Sequence, residues 1–378
     1  MKNRIQSIEY IRGLSMLGVI GIHTGAYSLS APDVNIHLFA LLEIVTRFSV
    51  PIFFFVSAFG LFLHHDLKGA FSYVSFMKRR CQTVLLPYIL WSLLYMIHYT
   101  WTTSDVMIWQ SPLVYHFFLF GLASCQLYFL VILMWFYLFM PLWRKLVVMI
   151  LQSPRLFLPL LLIGQIAFNY YSCYLLKADF SSEIINLVLD YRVSYWVLHY
   201  IFIFLLGAIC AVQYEQFLLW LKKHYIQINV FLFIALSGML GFYYILLFEL
   251  GYSPEAAVNT NHQLSPPGVL YTLAVTLFLM LMLENVQLPP ALRKVFSLFG
   301  EHSYVVYLIH PLVMYYLANY LSDRAIIMNE PIVIAFYLGT VTISIAAAKL
   351  IRIITQPLPL LSLGLTGSIT KSNIHSPR

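Results

Sequence analysis

Arg12 and His23 stand eleven residues apart in the first long apolar run of the chain, Glu9 to His23. At about 100° per residue, eleven residues make three turns plus roughly 20°, so the two side chains share one helix face about 16 Å apart along the axis. A hydrocarbon core is about 30 Å thick, so a helix that admits Arg12 near its surface carries His23 to mid-membrane. Imidazole titrates near neutral pH and can take or return a proton, which suits it to general-base work. An ionisable group at that depth is a functional candidate by default.

Other polar residues in apolar surroundings extend the set. Glu43 and Arg47 are one turn apart and can pair, as a structural clamp or as part of a site. The Phe-rich segment Ser49–Gly60 carries Pro51, which frees a backbone carbonyl, and ends near Ser57 among small residues that allow close helix approach. It reads as a packing hub with Ser57 as a hydrogen-bonding member. Ser303, Tyr307 and His310 fall at i, i+4 and i+7, a polar stripe along one face of an apolar helix. Helical rise sets His310 at the depth of His23, so two histidines and Arg47 are expected to converge; the alternative for each is an ordinary interhelical hydrogen bond. Lys78, Arg79 and Arg80 precede Pro87. Guanidinium groups grip phosphate in bidentate fashion, but three adjacent cations serve equally as topology determinants.

The elements that must position these residues are membrane helices. Of the 378 residues, 61% are hydrophobic and 10% charged, against about 25% charged in soluble domains. The fold class is therefore all-α integral membrane protein, with ten expected transmembrane helices near 12–30, 37–64, 84–102, 126–143, 156–175, 194–213, 226–249, 267–284, 299–321 and 331–354. With a cytoplasmic N-terminus, the inward ends and loops hold Lys2, Arg4, Arg12, Lys68, Lys78, Arg79, Arg80, Arg144, Lys145, Arg155, Lys222, Lys223, Arg293, Lys294, Lys349, Arg352, Lys371 and Arg378. These are 18 of the 22 basic residues, so both termini are expected inside. The net charge of +7 then faces an anionic leaflet and requires no nucleic acid.

Residues 1–355 read as one transmembrane domain and 356–378 as a short cytoplasmic tail, mobile after Pro357. The first run has Lys2 and Arg4 before it but no convincing cleavage site, so it is expected to stay as a helix. The four cysteines, Cys81, Cys125, Cys173 and Cys210, have neither disulfide nor zinc spacing and are expected to pack; no metal site is indicated. Residues 103–125 lack Lys and Arg, and 250–266 are polar, with Glu255 and His262. Such outward loops could meet a polar substrate or be solvated connections. No inverted repeat is visible, which disfavours a transporter.

The whole pattern resembles the membrane acyltransferase family 3. The resemblance rests on Arg12-Gly13 followed ten residues later by His23, the Phe-rich segment ending at Ser57, and the basic loop before Pro87. It also rests on Gln126-Leu127-Tyr128-Phe129 leading to Pro141, and on Ser303-Tyr304 through Tyr307 to His310. Glu9 stands where Asp is common in the family, Ala58 where Gly is common, and no second basic residue follows Arg80 by a turn. The resemblance implies a multi-pass O-acyltransferase in a bacterial-type plasma membrane. Its co-substrate would be acyl-coenzyme A, acetyl-coenzyme A in the first instance, presented from the cytoplasm. Its acceptor would be a hydroxyl of an exopolysaccharide or envelope glycan, free or lipid-linked, with a polysaccharide synthase complex as a further partner. His23 would be the base or, as the alternative, a transient acyl carrier, Arg12 a phosphate ligand oriented by Glu9, and Lys78, Arg79 and Arg80 the coenzyme A grip. Glu43, Arg47, Ser57, Gln126, Tyr128, Ser303, Tyr307 and His310 would support the acceptor or the transition state. The competing reading on the same fold is an exporter or flippase of an exopolysaccharide such as poly-N-acetylglucosamine.

Overall fold

A computed structural model describes residues 5–63, 67 and 69–368. Lys2, Arg4, Lys68, Lys371 and Arg378, counted above among the inward cations, lie outside these residues. The described residues form helices and connections without a strand. Among the described residues six helices are long and apolar enough to cross a membrane: α4 (Tyr73–Thr103), α8 (Pro154–Leu175), α12 (Tyr225–Phe248), α14 (Pro266–Asn285), α15 (Pro290–Ser322) and α16 (Glu330–Thr355). Two bent pairs raise the number to eight: α6 (Tyr128–Leu138) with α7 (Met140–Gln152), bent by 70°, and α10 (Val197–Val212) with α11 (Tyr214–Lys223), bent by 103°.

The expected ten spans are not reached by this measure, and the two shortfalls have physical causes. The first is α1 (Gln6–Ser28), which carries Glu9, Arg12, His23 and several small polar residues. It can afford them because α2 (Ile36–Glu43), α3 (Ser49–Phe62), α14, α15 and α16 pack around it. The second is the segment expected as one helix over 37–64, which opens over residues 44–48 into α2 and α3. Pro51 has no N–H for the Arg47 carbonyl and its ring crowds that position, so a continuous ladder cannot form. The Tyr271 hydroxyl donates to the freed Val45 carbonyl at 2.7 Å.

Glycines let α1 sit at the centre. A Cβ at Gly13 would collide with the Phe296 carbonyl on α15, and one at Gly25 would meet the Glu43 side chain. Gly300 on α15 in turn admits the Glu9 backbone. Close backbone approach of this kind is how membrane helices associate without a hydrophobic driving force. Gly13→Leu is expected to force α1 and α15 apart at a cost of about 1–3 kcal/mol. The check is the Tm of detergent-purified protein; no fall in Tm would mean that the crossing yields without strain.

The C-terminal segment corrects another expectation. As far as Ser368, where the described residues end, the chain after Pro357 is not a free tail: α17 (Pro359–Thr366) docks against α4 and α16 and buries Ser362, Leu363, Gly364 and Thr366, while 369–378 lie outside the described residues. Trp91 Nε1 donates to the Leu365 carbonyl at 3.1 Å. The docked face is the small one, Ser362, Gly364 and Thr366 with Leu363, while Leu360 and Leu361 stay exposed.

Candidate active site

The contact between α1 and α15 brings His23 and His310 together, with ring centroids 5.2 Å apart and planes tilted by 40°. His310 is 0% exposed. Its Nδ1 is 3.1 Å from the Val306 carbonyl and 2.9 Å from the Tyr307 carbonyl. A carbonyl only accepts, so Nδ1 carries the proton, and Nε2 of the neutral ring is a lone pair. Among the described residues nothing donates to that Nε2. A buried acceptor without a donor costs about 1–3 kcal/mol, which a reacting hydroxyl would relieve.

His23 has a different setting. It is half-buried. Its Nδ1 lies 3.8 Å from Cys125 Sγ, and Cys125 is exposed. Cys125 belongs to the turn before α6. That turn follows α5 (Leu113–Phe120), where Gly121 at φ 71° lets the chain reverse against the Tyr128 backbone.

Gln126, next to Cys125, is 2% exposed and ties three elements together. Its carbonyl accepts from the Tyr307 hydroxyl. Its Oε1 accepts from Ser124 Oγ at 2.6 Å, and its Nε2 lies 3.4 Å from the Tyr95 hydroxyl. Tyr95 in turn donates to the Leu308 carbonyl at 2.7 Å. Each polar atom of this frame is thereby satisfied by another element, the requirement for buried polar groups at membrane depth.

The Glu43–Arg47 pair forms as expected, at 2.7 Å, and side-chain exposures of 5% and 14% put it inside the protein. Gly25 makes room for Glu43, whose charge reaches His23. Arg47 Nη1 is 3.5 Å from Gln263 Oε1, and among the described residues nothing accepts from Arg47 Nε. Tyr128 is half-buried beside Arg47 and Tyr200. The later part of the polar 250–266 stretch, from Asn261 to Ser265, therefore folds inward, while 250–253 and Glu255 stay exposed. Its His262 stacks on Tyr174 with centroids 5.8 Å apart, and its Nδ1 accepts from the Leu264 N–H at 3.0 Å. Burial first, and then the Arg47 charge, push His262 down to about 4, so it is neutral near pH 7 and adds no second charge beside Arg47.

Arg12 is at the other end of its helix, roughly 16 Å from His23 by helical rise. It lies beside Gly60. Arg12 and Arg80 both sit close enough to Tyr137 for their charges to act on its phenol. The Arg80 guanidinium lies over the Phe76 and Tyr137 rings, 5.2 and 5.1 Å from their centroids. A π turn over Cys81–Leu85 follows, where Pro87 disrupts the helical ladder of α4. Lys78 and Arg79 point outward, so of the three adjacent cations only Arg80 is turned into the bundle. Glu9 accepts from Ser297 Oγ at 2.7 Å, a tie between α1 and α15.

Two predicted polar members do not join the histidines. Ser303 Oγ donates to the Gly300 carbonyl of its own helix at 2.9 Å. Ser57 is half-buried on α3 and makes no side-chain hydrogen bond among the described residues. The expectation that all four cysteines pack is corrected, since Cys210 is buried but Cys125 opens onto His23. Adjacency to Gln126 was the available signal for Ser124 and Cys125. Tyr95 and Gln263 had none, because only the fold brings them in. No group of three or more His, Cys, Asp or Glu suited to a metal occurs among the described residues.

An all-helical chain with six to eight membrane-length spans among its described residues, and two imidazoles apposed inside it, is a multi-pass membrane protein. The chain belongs to the acyltransferase domain family numbered 3, whose model matches residues 5–349 and so takes in every helix from α1 to most of α16. It is a membrane acyltransferase. No curated protein and no solved structure matches it.

Proposed function

We propose that this acyltransferase moves a short acyl group, acetyl in the first instance, from acyl-coenzyme A on the cytoplasmic side to a hydroxyl of an exopolysaccharide or other envelope glycan. The observation that carries the reading is the His23–His310 pair with its unpaired Nε2. An ester forms from a thioester when a hydroxyl loses its proton as its oxygen attacks the carbonyl, and an unprotonated imidazole nitrogen is the acceptor for that proton. Because His310 Nδ1 is committed to backbone carbonyls, the neutral ring accepts and does not donate. It therefore suits the acceptor hydroxyl better than the thioester carbonyl. Arg47 Nε, buried and unpaired among the described residues, is a donor for the oxyanion that develops on that carbonyl.

Arg12 and Arg80 are the proposed phosphate ligands of the donor, since both charges gather about Tyr137. The distance of about 16 Å from Arg12 to His23 then matches an extended pantetheine arm more nearly than a direct contact. The basic inward surface and the cytoplasmic termini belong to the same proposal.

Purified protein in liposomes, loaded with a candidate glycan and supplied outside with acetyl-coenzyme A, tests it. Coenzyme A release together with acylated glycan is the expected result; glycan movement without coenzyme A release would favour the exporter. Arg80→Gln is expected to raise the KM for the donor by roughly tenfold, the loss of one charge-assisted phosphate contact, with kcat little changed. Lys78→Gln and Arg79→Gln should change it less, because both side chains face outward. Equal effects of all three would remove the special place of Arg80.

A further inference from the structure

Of the four cysteines, Cys125 alone is exposed, and its sulfur lies on the imidazole of His23. We propose that Cys125 is a nucleophile that carries the acyl group, so that transfer runs in two steps through a thioester on this chain. The inference rests on the acyltransferase reading above and deepens it.

Three independent features point the same way. Cys125 Sγ lies 3.8 Å from His23 Nδ1, and behind the ring stands the Glu43–Arg47 pair, whose carboxylate and guanidinium charges act on it in opposite senses. Arg47 holds that carboxylate at 2.7 Å. A nucleophile, a base within reach of it and a third group acting on the base are the general arrangement of covalent catalysis, and such contacts are often long before substrate binds. Next, Cys125 stands three residues before the start of α6, whose positive end favours a thiolate. Finally, the site holds a second base. His310 Nε2 is fully buried and unpartnered beside the His23 ring, and direct transfer requires only one proton acceptor.

In the first step the Cys125 thiol passes its proton to His23 Nδ1, and its sulfur attacks the carbonyl carbon of the donor thioester. The bond from that carbon to the coenzyme A sulfur breaks, and the departing thiolate takes the proton from His23. In the second step the acceptor hydroxyl gives its proton to His310 Nε2 while its oxygen attacks the carbonyl carbon on Cys125. The bond to Sγ breaks, and the proton returns to the sulfur through the adjoining imidazoles. One thioester is exchanged for another before the ester forms, so the acyl group keeps its reactivity and no oxidant or reductant enters. Coenzyme A can leave before the glycan arrives, which suits substrates approaching from opposite faces.

Purified protein in nanodiscs is incubated with acetyl- or succinyl-coenzyme A without acceptor, quenched in acid and read by intact mass and peptide mapping. The expected result is one acyl group on Cys125, removable by neutral hydroxylamine, absent from Cys125→Ala and His23→Ala but retained in His310→Ala. Transfer to glycan by Cys125→Ala should fall by roughly 10³-fold or more, as for other nucleophile deletions. If Cys125→Ala does not fold, Cys125→Ser decides instead, with an oxygen ester at that position resistant to neutral hydroxylamine as the expected product. A Cys125 variant that transfers at the unaltered rate, or an acyl group mapped to another residue, overturns the proposal and leaves the acyltransferase reading standing. Unaltered protein that neither takes up an acyl group nor releases coenzyme A from either donor overturns both.

Discussion

His310→Ala is expected to lower acyl transfer to the glycan by roughly 10²–10⁴-fold, the usual range for loss of a general base, with the protein still folded in the membrane. The size of the effect follows from how the ring is held. Nδ1 is tied to the Val306 and Tyr307 carbonyls, so the ring cannot turn freely and Nε2 stays directed away from its own helix. That nitrogen is buried with no donor among the described residues, so its lone pair is available to a hydroxyl. His310→Gln retains polarity but lacks a nitrogen base and should be nearly as inactive. His23→Ala is expected to fall by a similar factor, and the double variant to fall little further, because groups that act as one unit are not additive. Single-turnover acylation measured beside steady-state transfer separates them. His23→Ala should fail at the loading of the chain, His310→Ala at transfer to the glycan. An active His310→Ala, with unaltered kcat/KM, would reduce the residue to a packing role.

Glu43→Ala is expected to destabilise the protein by about 3–5 kcal/mol, because it leaves the Arg47 charge inside the bundle without its carboxylate. The remaining partner, Gln263 at 3.5 Å, is neutral and distant. The same change opens space beside Gly25, where the Glu43 side chain packs. Replacing both members, as in Glu43→Ala with Arg47→Met, removes the stranded charge and should recover much of the loss. Unfolding of detergent-purified protein across the four members of this cycle gives the coupling energy. A single variant as stable as the double would show that Arg47 reaches solvent and that the pair does not hold the site.

Helix positions were legible because each apolar run is long and uninterrupted, and periodicity along one helix needs no partner. Arg12, His23 and the Tyr307–His310 stripe could be placed on faces and at depths on that basis alone. The number of membrane crossings was less legible. A run of apolar residues does not reveal that Pro51 opens the helix at 44–48, nor that α6 and α7 bend by 70°. Ser303 shows the limit of a polar stripe: it shares a face with His310 but satisfies its own helix. The Ser- and Gly-containing segment after Pro357 misled for the opposite reason, since its small residues pack closely against α4 and α16, a contact that only the assembled bundle provides.

By itself the sequence determined the all-helical membrane class and the family, and it singled out the two histidines as candidates, because these depend on composition, spacing and the cost of placing ionisable groups in hydrocarbon. Tertiary structure decided which residues meet them. Cys125 and Gln263 come from connections, and Tyr95 from another helix, so no periodicity links them to His23. Among Lys78, Arg79 and Arg80, the rotation of α4 against α6 alone chose Arg80 to face inward. The base pair itself is of the same kind: two helices more than 250 residues apart in sequence must cross at Gly13 before His23 and His310 meet.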